Sequence, residues 1–345
     1  MALHFTHKQP NPDKAASFFG GALKAAEQCG MDPFSKEVIG IRIRLAEMLE
    51  QFGSVKAAID VLDGVVTDCK ERLTELSRGA IQEALKKDSI PTRGEQTPGS
   101  QGALLRNIIE VKVKMAQLYD GDYVQDQASA KKTLSDAIQL LLENTQDPQT
   151  HSFNENNAAG LSLDEIAAML HDLGELYSAS KEYQNAIEVY MLTLNVLRKA
   201  CNGQASCREV EVMVGISATM GSVILHPELV LNGKPSTPET VKEMSKVALS
   251  WADGAIVTYE RVPEKDRDTT CYHAVFSAMM GKAGFLQQIG EHRDSKELWT
   301  MLLETARKRG SDPELMKMCQ MGLEVAEESL QREGHGKTIL SERKN

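Results

Sequence analysis

A chain of 345 residues with 39 Lys and Arg against 49 Asp and Glu carries a formal net charge of -10. That balance argues against a nucleic-acid or anionic-membrane surface, because phosphate contacts need clustered cations. Aromatics make up only 5% of the residues, no apolar run approaches the roughly 20 residues that cross a bilayer, and the start MALHFTHKQPNPDK lacks the pattern of a secretory signal, so the chain as given is expected to be soluble.

In chain order, apolar residues recur at helical spacing almost throughout, and strand alternation is nearly absent. Pro12 suits the first turn of a helix over 12–29, with Ala15, Phe19 and Ala22 on one face. Pro33 bars propagation, and the chain turns into a helix over 39–51. The next helix starts near Ser54 and keeps a stripe through Val55, Ile59, Leu62, Val66, Leu73 and Leu76 toward Leu85. Residues 86–102, rich in Pro, Gly and Ser, predict a flexible insertion. A helix pair follows through Met115, Ala116, Tyr119, Ala130, Leu134 and Ala137, provided that the turn between them carries two extra residues. Residues 143–160 are a second polar insertion. Beyond it, 167–200 gives two short amphipathic helices, and 208–225 another. The stripe Val241, Met244, Ala248, Trp251, Ala255 and Tyr259 marks the next helix, with Trp251 expected in the core. Helices over 267–289 and 293–309 make a last pair. Asp312, Pro313 and Glu314 then supply a cap, a Pro and an acidic first turn for a final helix to about 331, followed by a loose tail over 333–345.

The clearest unit is 167–200, AAMLHDLGELYSASKEYQNAIEVYMLTLNVLRKA. Leu170, Leu173, Gly174 and Tyr177 on its first helix and Ala186, Tyr190 and Thr193 on its second follow the tetratricopeptide (TPR) pattern, a helix-turn-helix repeat about 34 residues long. Gly174 and Ala186 are small where the helices must approach closely, and the two tyrosines are large where a gap needs filling. The same offsets hold Leu45, Ala46, Leu49, Gly53, Ala58, Leu62 and Val65 upstream, and Ala283, Leu286, Gly290, Ser295, Trp299 and Leu302 downstream. One such unit cannot bury its own apolar face, so copies must stack. The expected fold is all-α: a right-handed TPR-like superhelical solenoid of about twelve helices with a C-terminal capping helix, in a single domain over 1–345.

No catalytic constellation appears. The eight histidines show no metal-ligand spacing, and nucleotide and serine-hydrolase fingerprints are missing. Asp120, Asp122 and Asp126 lack the central Gly and terminal Glu of a calcium loop and read as a polar turn. No cofactor is called for, and the chain does not read as an enzyme. Cys201 and Cys207 bracket the turn NGQAS; either a disulfide formed in an oxidising compartment or two free thiols fits that spacing. Function is therefore expected in the groove that TPR first helices line. Its candidate residues are Arg44 and Glu47, then Glu110, Lys114 and Gln117, then Ala168, His171, Asp172 and Glu175. TPR proteins that clamp the acidic tail of cytosolic chaperones place Lys and Asn at such positions. Here those places hold Ile43 and Glu47, Val113 and Gln117, and His171 and Glu175, which disfavours that clamp and suits basic or apolar segments.

The segment AAEQCGMDPFSKEVIGIRIRLAEMLEQFG (25–53), with the order of units and insertions, resembles a fungal mitochondrial family: the TPR-containing adaptor of the inner-membrane i-AAA protease. The resemblance implies a non-catalytic receptor that binds unfolded or misassembled proteins. With a partner adaptor it passes them to the protease, and its soluble domain faces the intermembrane space. Family members have an N-terminal membrane anchor; no such segment reads out of the sequence given, so membrane attachment is expected only through an anchor of that kind. A general TPR scaffold for one defined partner is the other reading.

Overall fold

The structure, a computed structural model, describes residues 11–84, 100–121, 123–145, 159–225, 237–310 and 312–342. All regular structure among them is helical. In order the α-helices are α1 (Pro12–Gln28), α2 (Lys36–Gln51), α3 (Val55–Ala84), α4 (Gln101–Asp120), α5 (Gln127–Thr145), α6 (Leu163–Ala179), α7 (Tyr183–Ala200), α8 (Cys207–Leu225), α9 (Pro238–Arg261), α10 (Thr269–Ile289), α11 (His292–Arg309) and α12 (Pro313–Glu342), with one 3-10 turn at Glu264–Asp266. None is long and apolar enough to cross a membrane. The chain forms two compact units, Met1–Met169 and Leu170–Asn345, with the boundary inside α6.

Within each unit consecutive helices pack on one another, and in the second unit α8 also meets α10. The repeat is built at its turns. Gly53, Gln125, Lys181 and Gly290 all have left-handed backbone, at φ 75°, 50°, 61° and 94°. Each stands two residues before the second helix of a pair and five before a side chain that is completely buried: Ala58, Ala130, Ala186 and Ser295. The left-handed residue ends the first helix and lets the next amide reach back to a carbonyl of its last turn. Ser54 bonds Leu49 at 2.8 Å, Glu182 bonds Tyr177 at 2.9 Å and Glu291 bonds Leu286 at 2.9 Å, while Asp126 reaches Tyr119 at 2.8 Å across two more residues. Those are the two extra residues that the spacing predicts. Gly meets this conformation without strain at Gly53 and Gly290.

The small residue then seats the second helix against the first. Ser295 keeps the role with a hydroxyl, which donates to the Ala283 carbonyl at 2.8 Å. In the second unit the ring of Tyr190 fills the space over two glycines: a Cβ on Gly174 would lie 2.5 Å from Tyr190 Cε1, and one on Gly215 3.0 Å from its Cζ. Trp299 covers Gly322 of α12 in the same manner. The first unit packs Ala58, Leu62 and Val65 of α3 against Leu104, Ile108 and Val111 of α4. Each fully buried Leu or Ile stabilises by about 2 kcal/mol over its exposed state.

Several expectations need correction. Ala22 is exposed and Ala26 takes its place in the α1 core. Trp251 is half-buried, and α9 buries Ala248, Ala252 and Ala255 instead, because its close packing on α8 and α10 leaves room only for small side chains. The insertion over 143–160 is shorter at both ends: 143–145 belong to α5, and Ala159 is fully buried. Likewise Ser100 caps α4 by accepting from Ala103 N–H at 3.4 Å; residues 86–99 and 146–158 lie outside the described residues. The tail is helical to Glu342, since adding residues to an existing helix costs far less than nucleating one.

Cys201 and Cys207 are not paired. Cys201 is a free thiol at the C-terminus of α7. Its turn is closed by the backbone, with Gly203 N–H bonding Arg198 at 2.9 Å and Gln204 N–H bonding Cys201 at 2.9 Å. Cys207 opens α8 and forms a disulfide with the buried Cys271 of α10, at a Cα separation of 4.8 Å. The bridge closes a 64-residue separation, a loop length at which cross-linking stabilises by about 4 kcal/mol in the chain-entropy picture. Cys69 is buried with its thiol pushed up to about 11 by desolvation and the charge of Asp68, and Cys319 is buried and raised too, by desolvation.

Two outcomes follow. Gly174→Ala forces the Tyr190 ring aside and destabilises the chain by about 1–3 kcal/mol, measurable by chemical denaturation. Alkylation of the native, unreduced protein labels Cys29 quickly and Cys201 more slowly, spares Cys69 and Cys319, and leaves one disulfide-linked peptide pair, Cys207 with Cys271. A Cys201–Cys207 pair on peptide mapping would contradict the fold.

Candidate functional site

In the first unit, most of the charged candidates are used up on neighbours. Arg44 bonds Glu47 at 2.7 Å, and Lys114 on α4 bonds Glu50 on α2 at 2.8 Å. Arg106 bonds Glu110 at 2.6 Å, Glu165 at 2.7 Å and the Gly160 carbonyl at 2.9 Å. Glu165 is also the far end of a capping box: it accepts from Ser162 N–H at 2.7 Å, while Ser162 Oγ accepts from Glu165 N–H at 3.2 Å. These two sets of contacts fix the start of α6. Gln117 is exposed and Ala168 half-buried. Asp126, in what reads from the sequence as a polar turn, caps α5 by accepting from Ser129 Oγ at 2.6 Å and its N–H at 3.0 Å. Those bonds hold its carboxyl below the usual range.

The second unit gathers His171, Asp172 and Glu175 on α6. Spacings of one, three and four residues bring them onto one side of the helix, and each offers one ligand atom within 4.8 Å of the others. His171 and Asp172 are half-buried and Glu175 is exposed. The His171 ring sits 5.7 Å from that of Tyr190, tilted by 51°. Burial pushes His171 below its ordinary value of 6.5; Asp172 opposes that shift and Arg208 adds to it. Burial pushes the Asp172 carboxyl up and the charge of Glu175 pushes it further, against the pull of His171 and Arg208. Tyr190 is raised, first by burial and then by Glu175, so it stays a neutral phenol.

Two residues of α8 join this set. Glu211 is raised by burial and by the charges of Asp268 and Glu175, with Arg208 acting against them. Asp268 itself caps α10, accepting from Cys271 N–H at 2.7 Å, beside the disulfide. The carboxyls of Asp172, Glu175, Glu211 and Asp268 therefore share one electrostatic neighbourhood with one imidazole and one guanidinium. The sequence pointed to the α6 members but not to Arg208, Glu211 or Asp268, since α8 lacks a clear repeat signature; the i, i+3 spacing of Arg208 and Glu211 is the signal that was there. The three α6 side chains are chemically able to hold a cation, and Arg208 works against one.

No protein-family model and no curated protein matches the chain. Among solved structures it is similar to BtubC (BKLC) from P. vanneervenii, with a TM-score of 0.52 and 12% identity over 88% of this chain and 94% of that one. Lower scores relate it to the apo form of RapI, at 0.42 and 8% identity over 97% and 96% of the two chains. The RpL4 assembly chaperone Acl4 (residues 1–338) follows at 0.40 and 11% identity over 99% and 96%. The fold is a TPR-like helical repeat. The BtubC likeness speaks to fold alone.

Asp172, with its pKa raised, is at no disadvantage below the ordinary aspartate value of 3.8, where folded and unfolded chains both hold the proton. As pH rises through its folded value the penalty of burying the charge becomes complete. His171 acts in the other direction near 6.5: as pH falls, the unfolded chain takes the proton first and stability drops. Asp172→Asn is thus expected to raise the melting temperature at pH 7 by a few degrees, with the gain vanishing below about pH 4. Equal melting curves across that range would show that the Asp172 charge is not under strain.

Proposed function

We propose that the chain is a non-catalytic adaptor that binds unfolded or misassembled protein segments and helps to deliver them to the mitochondrial inner-membrane i-AAA protease. The observation that carries the binding reading is the half-buried acidic set of Asp172 and Glu211, with Glu175 and Asp268 raising their pKa values. Carboxylates that repel one another at a partly desolvated surface gain from a ligand that brings a cation. Lys and Arg side chains next to apolar ones, exposed when a protein unfolds, supply it. The first-helix face of a helical repeat is where an extended segment has room to lie.

The delivery reading rests on the likeness of 25–53 and the unit order to the protease adaptors. The Cys207–Cys271 disulfide fits it, because such bridges persist where thiols are not kept reduced, as on the intermembrane-space side of the inner membrane.

The test compares a reduced, permanently unfolded basic client with its folded form in a binding titration, and repeats it with Asp172→Lys/Glu175→Lys. The unfolded client is expected to bind, and the double reversal to weaken it by about tenfold or more, as loss of charge-assisted contacts implies. Unchanged affinity in the variant removes this face as the binding site. Saturable binding to one folded partner alone would favour a general scaffold, and client degradation by the purified protease that the chain fails to accelerate would remove the delivery role.

A further inference from the structure

A cavity of about 340 Å³ opens in the first unit where α3, α4 and α5 meet. Each helix turns one stripe toward it: Val66 and Lys70 from α3, Lys112 and Met115 from α4, and Lys132 and Asp136 from α5. Val66 and Met115 are buried and make an apolar floor. Three Lys side chains share the lining with it.

Lys112 is the unusual member. It is only 8% exposed, and a buried ammonium is costly unless its donors are met. Its Nζ has three N–H donors, and among the described residues its one hydrogen bond goes to Asp136 Oδ2 at 3.1 Å. Asp136 is itself 51% exposed on its side chain, so water competes for it. Lys70 and Lys132 reach the cavity from the two flanking helices, and neither makes an ion pair among the described residues. With Asp63, three ammoniums face two carboxylates, leaving one net positive charge in the lining. The Thr133 hydroxyl also lines it, and no Arg does. Point-charge ammoniums converging from three helices match a tetrahedral oxyanion, whereas a planar carboxylate is better served by the Arg fork.

We propose that this cavity is a phosphate-binding site, with Lys70, Lys112 and Lys132 as its cationic contacts. The phosphate is carried either by a small molecule or by a phosphorylated side chain. Lys112 and Lys114 differ by two residues, or about 200° around α4, so the cavity lies on the far side of that helix from the Lys114–Glu50 pair. Phosphate binding and segment binding on the first-helix face are therefore separate events, and either stands without the other.

The experiment titrates the full chain with inorganic phosphate at fixed ionic strength and follows heat or amide shifts. Lys70→Gln/Lys132→Gln alters two exposed side chains and leaves the core intact. It is expected to weaken phosphate binding about tenfold or more, from the loss of two charge-assisted contacts. Asp136→Asn releases Lys112 to the anion and is expected to tighten binding severalfold. Equal affinity in wild type and the double Lys variant, or no binding by either, overturns the site and leaves an adventitious ion only. A short phosphoserine peptide that binds more tightly than inorganic phosphate assigns the site to phosphorylated side chains. Equal binding of the two assigns it to small molecules, and equal binding of the unphosphorylated peptide overturns it.

Discussion

Every helix pair that carries the repeat closes on one fully buried small residue, and that close approach governs the rest of the chain. Where Ala58, Ala130, Ala186 or Ser295 sits in its second helix, the first helix must end a fixed distance earlier. That is why a left-handed residue recurs five positions before it. The cost of the conformation is accepted even by Gln125 and Lys181, which are not glycines, because the alternative is a mis-seated helix and a lost core. Once one pair is set, its outer face has the size-matched relief that the next pair needs. Tyr190 shows this: one ring spans Gly174 on the helix before it and Gly215 on the helix after it, so seating within a pair and seating between pairs share one side chain.

Packing consumes the apolar faces, and the two units use the charges on their first-helix side differently. In the first, Arg44, Arg106 and Lys114 each find a carboxylate within 2.9 Å, and a surface so paired has little to offer a ligand. In the second, acids outnumber bases around His171 and the carboxyl groups are pushed upward. Such frustration is destabilising, and perturbed groups of this kind cluster at functional sites.

What the sequence made legible follows from this. Small residues, aromatic residues and turn spacing are local, so the central unit, the paired helices and even the two extra residues of the 120–127 turn could be read from offsets. His171, Asp172 and Glu175 lie within one helical turn and could be read as a group. Arg208 and Glu211 join them only through the packing of α8, and the Lys112 cavity needs three helices at once; neither is encoded in any single stretch. Trp251 was misplaced because periodicity assigns a face and says nothing of the clearance against that face. Small residues on the neighbouring turns, Ala248, Ala252 and Ala255, were the better guide.

The cysteines show the same limit with a consequence for the site. Proximity in sequence offered only Cys201 as a partner for Cys207, beside the reading of two free thiols, but a disulfide needs Cβ vectors that face each other, and only the fold brings Cys207 to Cys271. In stacked repeats each unit touches only its neighbours, so a cross-link between successive first helices acts directly on their spacing. The bridge joins the N-terminal ends of α8 and α10, which pack on each other, three residues from Asp268 on one side and four from Glu211 on the other. It therefore fixes how far apart those two carboxylates can move. An electrostatically strained surface held at constant width is preorganised for a cationic ligand, while the same charges on a free hinge would separate and lose their attraction for it.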